Sequence, residues 1–256
     1  MSLPATGRFA GKVIVITGAS GGIGAATAER VARDGATVVC VARREAELRA
    51  VAARCGPRAH PMVADCPIRG EVHRVVTEVM RAHDHFDVWI NNVGRGISRL
   101  PTELTDADLD AMFTVNVRSA IYGMQEALPH FRARGTGHVI NISSMLGRMP
   151  SSLIRSAYSA SKHYLNAITA NFRTEVQETH PGIQFTLVSP GIVYTDFGTH
   201  ALHGGPDSRS LPLGQPVEEV AAVIADVIVS RKPDVYTRPG ARQRIVEYVE
   251  RTGEDP

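Results

Sequence analysis

Tyr158 and Lys162 stand four residues apart in Tyr158-Ser159-Ala160-Ser161-Lys162. On a helix this spacing brings both side chains to one face, within a few ångströms of each other. A phenol has a pKa of about 10 in water, too high for proton transfer near neutrality. An adjacent ammonium favours the phenolate, so the pair predicts a tyrosine able to act as acid or base. Lysine occurs only at positions 12, 162 and 232, against a large excess of arginine. Lys162 is therefore not what composition supplies by default. Taken alone, the spacing also suits an ordinary solvated helix pair, so its meaning depends on the surrounding elements.

Those elements alternate. Strand-like apolar runs fall at Val13–Thr17, Thr37–Val41, Ala59–Ala64, Val88–Asn91, His138–Ile142, Gln184–Ser189 and Asp234–Thr237. Several are apolar on both faces, as in a parallel sheet covered on each side by helices. Helical patterns lie between them at about Gly22–Asp34, Arg44–Arg54, Arg69–His83, Thr105–Arg134, Ala157–His180 and Pro216–Ser230. Pro216 followed by Glu218 and Glu219 is a good helix opening. The order predicts one doubly wound α/β domain over 1–256, with a mostly parallel seven-stranded sheet. From Tyr194 to Gly214 the pattern breaks at Gly204-Gly205-Pro206 and Leu211-Pro212-Leu213-Gly214. A loop of that length in a compact domain predicts a substrate lid at about 194–214.

The first strand runs into Thr17-Gly18-Ala19-Ser20-Gly21-Gly22-Ile23-Gly24, which opens the first helix. Glycine permits a tight turn and close backbone approach, and a helix N-terminus offers unpaired N–H groups to a pyrophosphate. A glycine cluster can be no more than a flexible turn, but its place between strand and helix predicts dinucleotide binding through Gly18, Ser20, Gly21, Gly22, Ile23 and Gly24. The second strand ends in Ala42-Arg43-Arg44, where an acid would meet a free ribose 2′-hydroxyl. Two guanidiniums there suit a 2′-phosphate. The expected cofactor is NADP, with Arg43 the stronger contact and NAD the second choice; the bland alternative is that both arginines merely begin the next helix.

Composition limits the remaining possibilities. The chain has 256 residues, 43% of them apolar, and a formal charge of +2. That supports a sizeable core and implies no dedicated nucleic-acid surface. Met1 to Phe9 lacks the apolar stretch of a signal peptide, and no run approaches the ~18 apolar residues of a membrane span. Cys40, Cys55 and Cys66 are odd in number and lack metal-ligand spacing. The expectation is a soluble, reduced, cytoplasmic protein. His83, His85, His130, His163 and His180 are spread without a carboxylate cluster, so packing or surface roles are expected and no metal.

Together these residues resemble the short-chain dehydrogenase/reductase family, from about Gly11 to Asp196, with its Rossmann-type fold. The resemblance implies that Asp65 bonds the adenine amino group and that Asn91-Asn92-Val93-Gly94 supplies cofactor contacts through Asn92 and Gly94. It also implies that Asn116, Ser144, Tyr158 and Lys162 are catalytic. Pro190-Gly191-Ile192-Val193-Tyr194-Thr195 would grip the nicotinamide through Pro190, Gly191, Val193 and Thr195, and Tyr158 and Lys162 would also touch the cofactor. Three departures stand out. Val93 replaces the usual alanine. The interval from Ser144 to Tyr158 is one residue longer than the commonest spacing, with the extra residue placed in 150–156. The glycine-rich ending of many tetrameric relatives is absent, and a basic amphipathic tail runs from Ala241 to Arg251. Ser143 is the fallback serine, but strand alternation separates the two hydroxyls and the offset to Gly147 favours Ser144.

On this resemblance the chain is a carbonyl reductase. A hydride passes between NADP(H) and carbon, and Tyr158 exchanges the proton on oxygen. Lys162 lowers the tyrosine pKa and holds the nicotinamide ribose, Ser144 steadies the developing charge, and Asn116 holds a proton-relaying water. Substrate residues are expected to include Ser144, Met145, Tyr158, Tyr194 and Phe197, with Leu146, Met149, Ile97, Leu100 and Ile192 nearby. That lining predicts a hydrophobic carbonyl compound or secondary alcohol. Arg95, Arg99, Arg148 and Arg155 share those stretches and either meet an anionic ligand or are simply solvated. Small residues at Ala160, Ala167 and Ala170 predict a homodimer, with a tetramer left open. The alternatives are a catalytically silent NADP-binding regulator and a sugar-nucleotide epimerase. The first would not need Asn116, Ser144, Tyr158 and Lys162, and about 60 residues after Asp196 leave little room for the second.

Overall fold

The computed structural model describes residues 7–253. Seven strands form its sheet: β1 (Val13–Thr17), β2 (Thr37–Ala42), β3 (Ala59–Val63), β4 (Val88–Asn91), β5 (Gly137–Ile142), β6 (Ile183–Ser189) and β7 (Asp234–Tyr236). Eight α-helices accompany them: α1 (Gly22–Arg33), α2 (Glu45–Cys55), α3 (Arg69–His83), α4 (Asp106–Phe113), α5 (Ser119–Arg134), α6 (Ser156–Thr179), α7 (Val217–Ser230) and α8 (Ala241–Thr252). The strand order is β3-β2-β1-β4-β5-β6-β7, and every neighbouring pair is parallel. Order reverses between β1 and β4, which opens a crevice at their carboxyl ends.

Period-two alternation builds two cores. Ile14, Ile16, Val38, Cys40 and Val188 point to the face covered by α1, α2 and α7. Val13, Val15, Val39, Trp89 and Phe185 point to the face covered by α3, α5 and α6. Such strands must be apolar on both sides, because helices exclude water from both. Each fully buried Val, Ile or Phe contributes roughly 1.5–3 kcal/mol. Among the described residues, no helix is long and apolar enough to cross a membrane.

Local structure departs from the sequence expectation along Thr105–Arg134. The single helix expected over Thr105–Arg134 is two, joined by a π turn at Thr114–Arg118 with Asn116 at its centre. Thr105 caps α4 in a reciprocal box with Asp108. Short 3₁₀ turns at Met145–Gly147 and Leu153–Arg155 precede α6, and the basic tail folds as α8. Between Tyr194 and Gly214 the chain is irregular apart from a turn at Ser208–Ser210. It is nonetheless tied down by bridges pairing Ile97 with Leu202 and Val193 with Gln215.

Candidate active site

The glycine turn sits where β1 ends, and Asn92, at the end of β4, holds it. The Asn92 side-chain amide donates to the Thr17 and Gly18 carbonyls at 3.2 and 3.1 Å, while its backbone N–H donates to Thr17 Oγ1 at 3.1 Å. Gly18 and Gly22 have φ of +67° and +52°, conformations glycine adopts freely. A Cβ on Gly24 would stand 2.5 Å from Asn92 Nδ2, so glycine is also required there by close packing. The α1 N-terminus at Gly21 has no side-chain cap and no acid in its first turn, which leaves N–H groups for an anion. Thr195 lies across this turn, its methyl 3.4 Å from where a Cβ on Gly22 would be. Gly191 faces open space. Together these residues fit a dinucleotide pyrophosphate.

The two arginines beyond β2 are held differently. Arg44 is tied to the glycine turn, donating from Nε and Nη2 to Ser20 Oγ at 3.2 and 3.1 Å. Arg43 is 69% exposed and faces Asp65 at 3.5 Å. Ala42 ends β2, so no acid stands at that strand terminus.

Tyr158 lies in the first turn of α6 and Lys162 one turn later, both buried. Ser144 Oγ accepts from the Leu146 N–H at 3.1 Å, and its hydroxyl acts on the Tyr158 phenol, favouring the phenolate. Ser143 turns the other way, donating to Asn166 Oδ1 at 2.5 Å. Strand alternation thus separates the two serines as expected. Lys162 Nζ donates to the Ile142 carbonyl at 2.8 Å and stands 5.8 Å from the centre of the Tyr158 ring. A Cβ on Gly94 would lie 3.6 Å from Lys162 Nζ and 3.3 Å from Asn116 Oδ1. The Asn116 amide accepts from Arg95 N–H at 2.8 Å and donates to the Arg95 carbonyl and Ser161 Oγ at 3.0 and 3.1 Å. It clips the chain beyond β4 onto α6, and its side chain is fully engaged by protein.

Burial decides the electrostatics. It pushes the Tyr158 phenol up to about 12, opposed by the Ser144 hydrogen bond and the Arg155 charge. Burial also pushes Lys162 down to about 8. The expectation of a tyrosine made acidic by Lys162 does not hold in the protein alone: desolvation of the phenolate outweighs the neighbouring charges.

The rim over Tyr158 is apolar. The Phe197 ring packs edge-on against Tyr158 at 5.4 Å. Met145 is buried beside Ser144, and Ile97, Leu146 and Leu202 join Tyr158 in a small cluster. Leu100 and Ile192 are exposed. Tyr194, expected among the substrate residues, lies elsewhere. Its ring covers Gly214, where any Cβ would collide with it, and it lines a cavity of about 210 Å³ with Gly22, Ala25 and Val217. The backbone bond from Tyr194 N–H to the Gln215 carbonyl at 3.0 Å holds the residue on that side. His203 Nε2 meets Asp108 Oδ1 at 2.6 Å, and Arg99 meets Asp108 Oδ2 at 2.7 Å, so the irregular loop is latched to α4.

Several supporting residues escaped the sequence reading. Asn91 donates to Asn141 Oδ1 at 2.8 Å beneath the site, and Asn141 donates to Thr169 Oγ1 at 2.8 Å. Asn166 donates to the Gly147 carbonyl at 2.7 Å, fixing the turn after Ser144. The available signal was amide side chains inside otherwise apolar strands, since buried amides must be paired.

A family model described as short chain dehydrogenase matches residues 12–204. An uncharacterized oxidoreductase of Staphylococcus epidermidis is 30% identical over 218 residues, covering 85% of this chain and 89% of its own length. Dehydrogenase/reductase SDR family member 11 of Homo sapiens is 33% identical over 208 residues, covering 77% of this chain and 79% of its own. Among solved structures, a short-chain dehydrogenase from Sphingobium yanoikuyae in complex with NADPH superposes with a TM-score of 0.80 at 27% identity, covering 94% of this chain and 93% of its own. One from Burkholderia phymatum in complex with NAD gives 0.86 at 22% identity, covering 100% and 99%, a likeness of fold. The chain is an oxidoreductase that belongs to the short-chain dehydrogenase/reductase family.

Proposed function

We propose that the protein transfers a hydride between NADP(H) and a carbonyl or secondary alcohol substrate of apolar character, with Tyr158 exchanging the proton on oxygen. The observation that carries this reading is the burial of Tyr158, Lys162 and Ser144 together, with Lys162 Nζ 5.8 Å from the centre of the Tyr158 ring and beside Gly94. The dinucleotide, when bound, supplies or accepts the hydride. Gly18–Gly24 would hold its pyrophosphate, Arg43 and Arg44 a 2′-phosphate, Asp65 the adenine, and Pro190, Gly191, Val193 and Thr195 the nicotinamide half, with Asn92 and Gly94 as further cofactor contacts. The absence of an acid at Ala42, with Arg43 and Arg44 following it, supports NADP over NAD.

In reduction, Tyr158 gives its proton to the substrate oxygen and Ser144 donates to that same oxygen as charge develops. Lys162 has three N–H donors and one recorded acceptor, Ile142, so two remain for the ribose. Asn116 keeps the chain around Arg95 registered against Ser161, one residue before Lys162. Residues 194–214 act as a lid, with Phe197 closing over Tyr158. The exposed faces of Ala160, Ala167 and Ala170 on α6 suit a homodimer in the cytoplasm.

The test is NADPH consumption across ketones, aldehydes and β-ketoacyl thioesters, for the native protein and Tyr158→Phe. The expected result is turnover of at least one compound and a loss of about 10²–10⁴-fold in the variant, with NADPH binding retained. Full activity in Tyr158→Phe would overturn the acid–base assignment. Binding of NADPH with no turnover in either protein would favour a silent regulator.

A further inference from the structure

Four arginines border the site, and the fold treats them differently. Arg99 is paired with Asp108, Arg148 is paired with Asp234, and Arg95 is exposed and donates to the His200 carbonyl at 3.2 Å. Arg155 is half-buried. Among the described residues it has no carboxylate within ion-pair distance, and its recorded partner is the Ile97 carbonyl, 3.0 Å from Nη1. A guanidinium carries five N–H donors, and leaving such a group half-desolvated without counter-charge is costly.

The surroundings make room for this cation. A Cβ on Gly96 would stand 2.6 Å from Arg155 Nη1, and a Cβ on Gly205 would stand 2.8 Å from Nη2. The same position at Gly205 lies 2.8 Å from Ser98 Oγ, a buried hydroxyl with no partner among the described residues. The position at Gly96 lies 3.0 Å from Phe197 Cε1, and Phe197 packs on Tyr158. Arg155 is also the N-cap residue of α6, three residues before Tyr158. An unpaired cation and a spare hydroxyl therefore flank the apolar wall that encloses the Tyr158 phenol.

We propose that Arg155, helped by Ser98, binds a carboxylate carried by the substrate, so that the protein selects oxo acids and hydroxy acids with an apolar chain over neutral carbonyl compounds. This rests on the reading of Tyr158 as the proton donor. The carboxylate supplies the missing counter-charge, and the fork of Nη1 and Nη2 orients the chain so that its carbonyl faces Tyr158 and Ser144.

The test compares 4-oxopentanoate, 5-oxohexanoate and 6-oxoheptanoate with their methyl esters, using NADPH. The quantity read is the acid-to-ester ratio of kcat/KM for the native protein, Arg155→Met, Arg155→Lys and Ser98→Ala. The expected ratio in the native protein is about 10- to 100-fold for at least one pair, the worth of one charge-assisted contact. It should collapse toward one in Arg155→Met, return in part in Arg155→Lys and fall in Ser98→Ala. A native ratio near one, or one that persists in Arg155→Met, overturns the proposal and leaves Arg155 as a strap between α6 and Ile97. If Arg155→Met does not fold, the Lys and Ser98→Ala variants carry the comparison. If no compound turns over, calorimetry of the three oxo acids with the NADP-loaded protein decides: binding lost in Arg155→Met supports the site, and no binding overturns it. Tyr158→Phe separates the two readings, since it should abolish turnover while keeping oxo-acid binding.

Discussion

Lys162 Nζ points its recorded hydrogen bond at the Ile142 carbonyl, 2.8 Å away at the end of β5, and keeps 5.8 Å from the centre of the Tyr158 ring. The ammonium is thus anchored to the sheet, and its two remaining donors are left for a ligand. Because both groups are buried, each is biased toward its neutral form: the phenol is pushed up to about 12 and the amine down to about 8.

A pH dependence follows from that bias. Below about 8 Lys162 is an ammonium, and above it the donor charge is lost. kcat/KM measured for NADPH reports the free enzyme. It is expected to stay level at lower pH and to decline as pH rises through about 8. Tyr158 remains protonated throughout that range. A profile flat to pH 10 would remove Lys162 from cofactor binding.

Stability should respond in the opposite sense. The folded value for Lys162, about 8, lies below its ordinary 10.5, so folding disfavours the charged form. Its cost is fully present below pH 8 and fades as pH rises toward 10.5. Lys162→Met at pH 7 should therefore raise Tm by about 2–6 °C in the dinucleotide-free protein while abolishing activity. The gain should shrink between pH 8 and 10.5. Thermal unfolding followed by circular dichroism measures both.

Cofactor choice is expected to follow the end of β2. Ala42→Asp combined with Arg43→Ser places an acid where the ribose hydroxyl of NADH would bond and removes one guanidinium. The NADPH-to-NADH ratio of kcat/KM should fall by about 10²-fold. Arg44→Ser should act separately by loosening Ser20, the residue it bonds in the glycine turn. An unchanged ratio in the double variant would mean that neither residue reads the 2′ position.

The latch between the loop and α4 gives a fourth expectation. The hydrogen bond from His203, with those from Thr105 and Arg99, holds the Asp108 carboxyl well below the usual carboxylate range. Its stabilising effect is present above the ordinary value near 3.8 and is lost as pH falls below it. Asp108→Asn should speed hydrogen exchange at the Leu202 and Ser98 amides, which bond across this seam to Gly96 and Leu202. Exchange confined to α4 would instead show that only the helix cap had been lost.

Much of this protein is determined by short-range rules. Residues two apart share a strand face, so Val13–Thr17 and the other central strands declare a sheet buried on both sides. Residues four apart share a helix face, so Tyr158 and Lys162 declare a pair. The glycines of Gly18–Gly24 declare a turn because glycine adopts left-handed backbone conformations freely. None of these rules needs knowledge of distant chain. Charge balance and burial do. Arg99, Arg148 and Arg155 look alike in the sequence, and only the fold brings Asp108 to the first, Asp234 to the second and, among the described residues, no acid to the third. In the same way, burial, with Phe197 packed edge-on against the ring, makes Tyr158 a weaker acid rather than a stronger one. Solvation is a property of the whole assembly, and no local pattern encodes it.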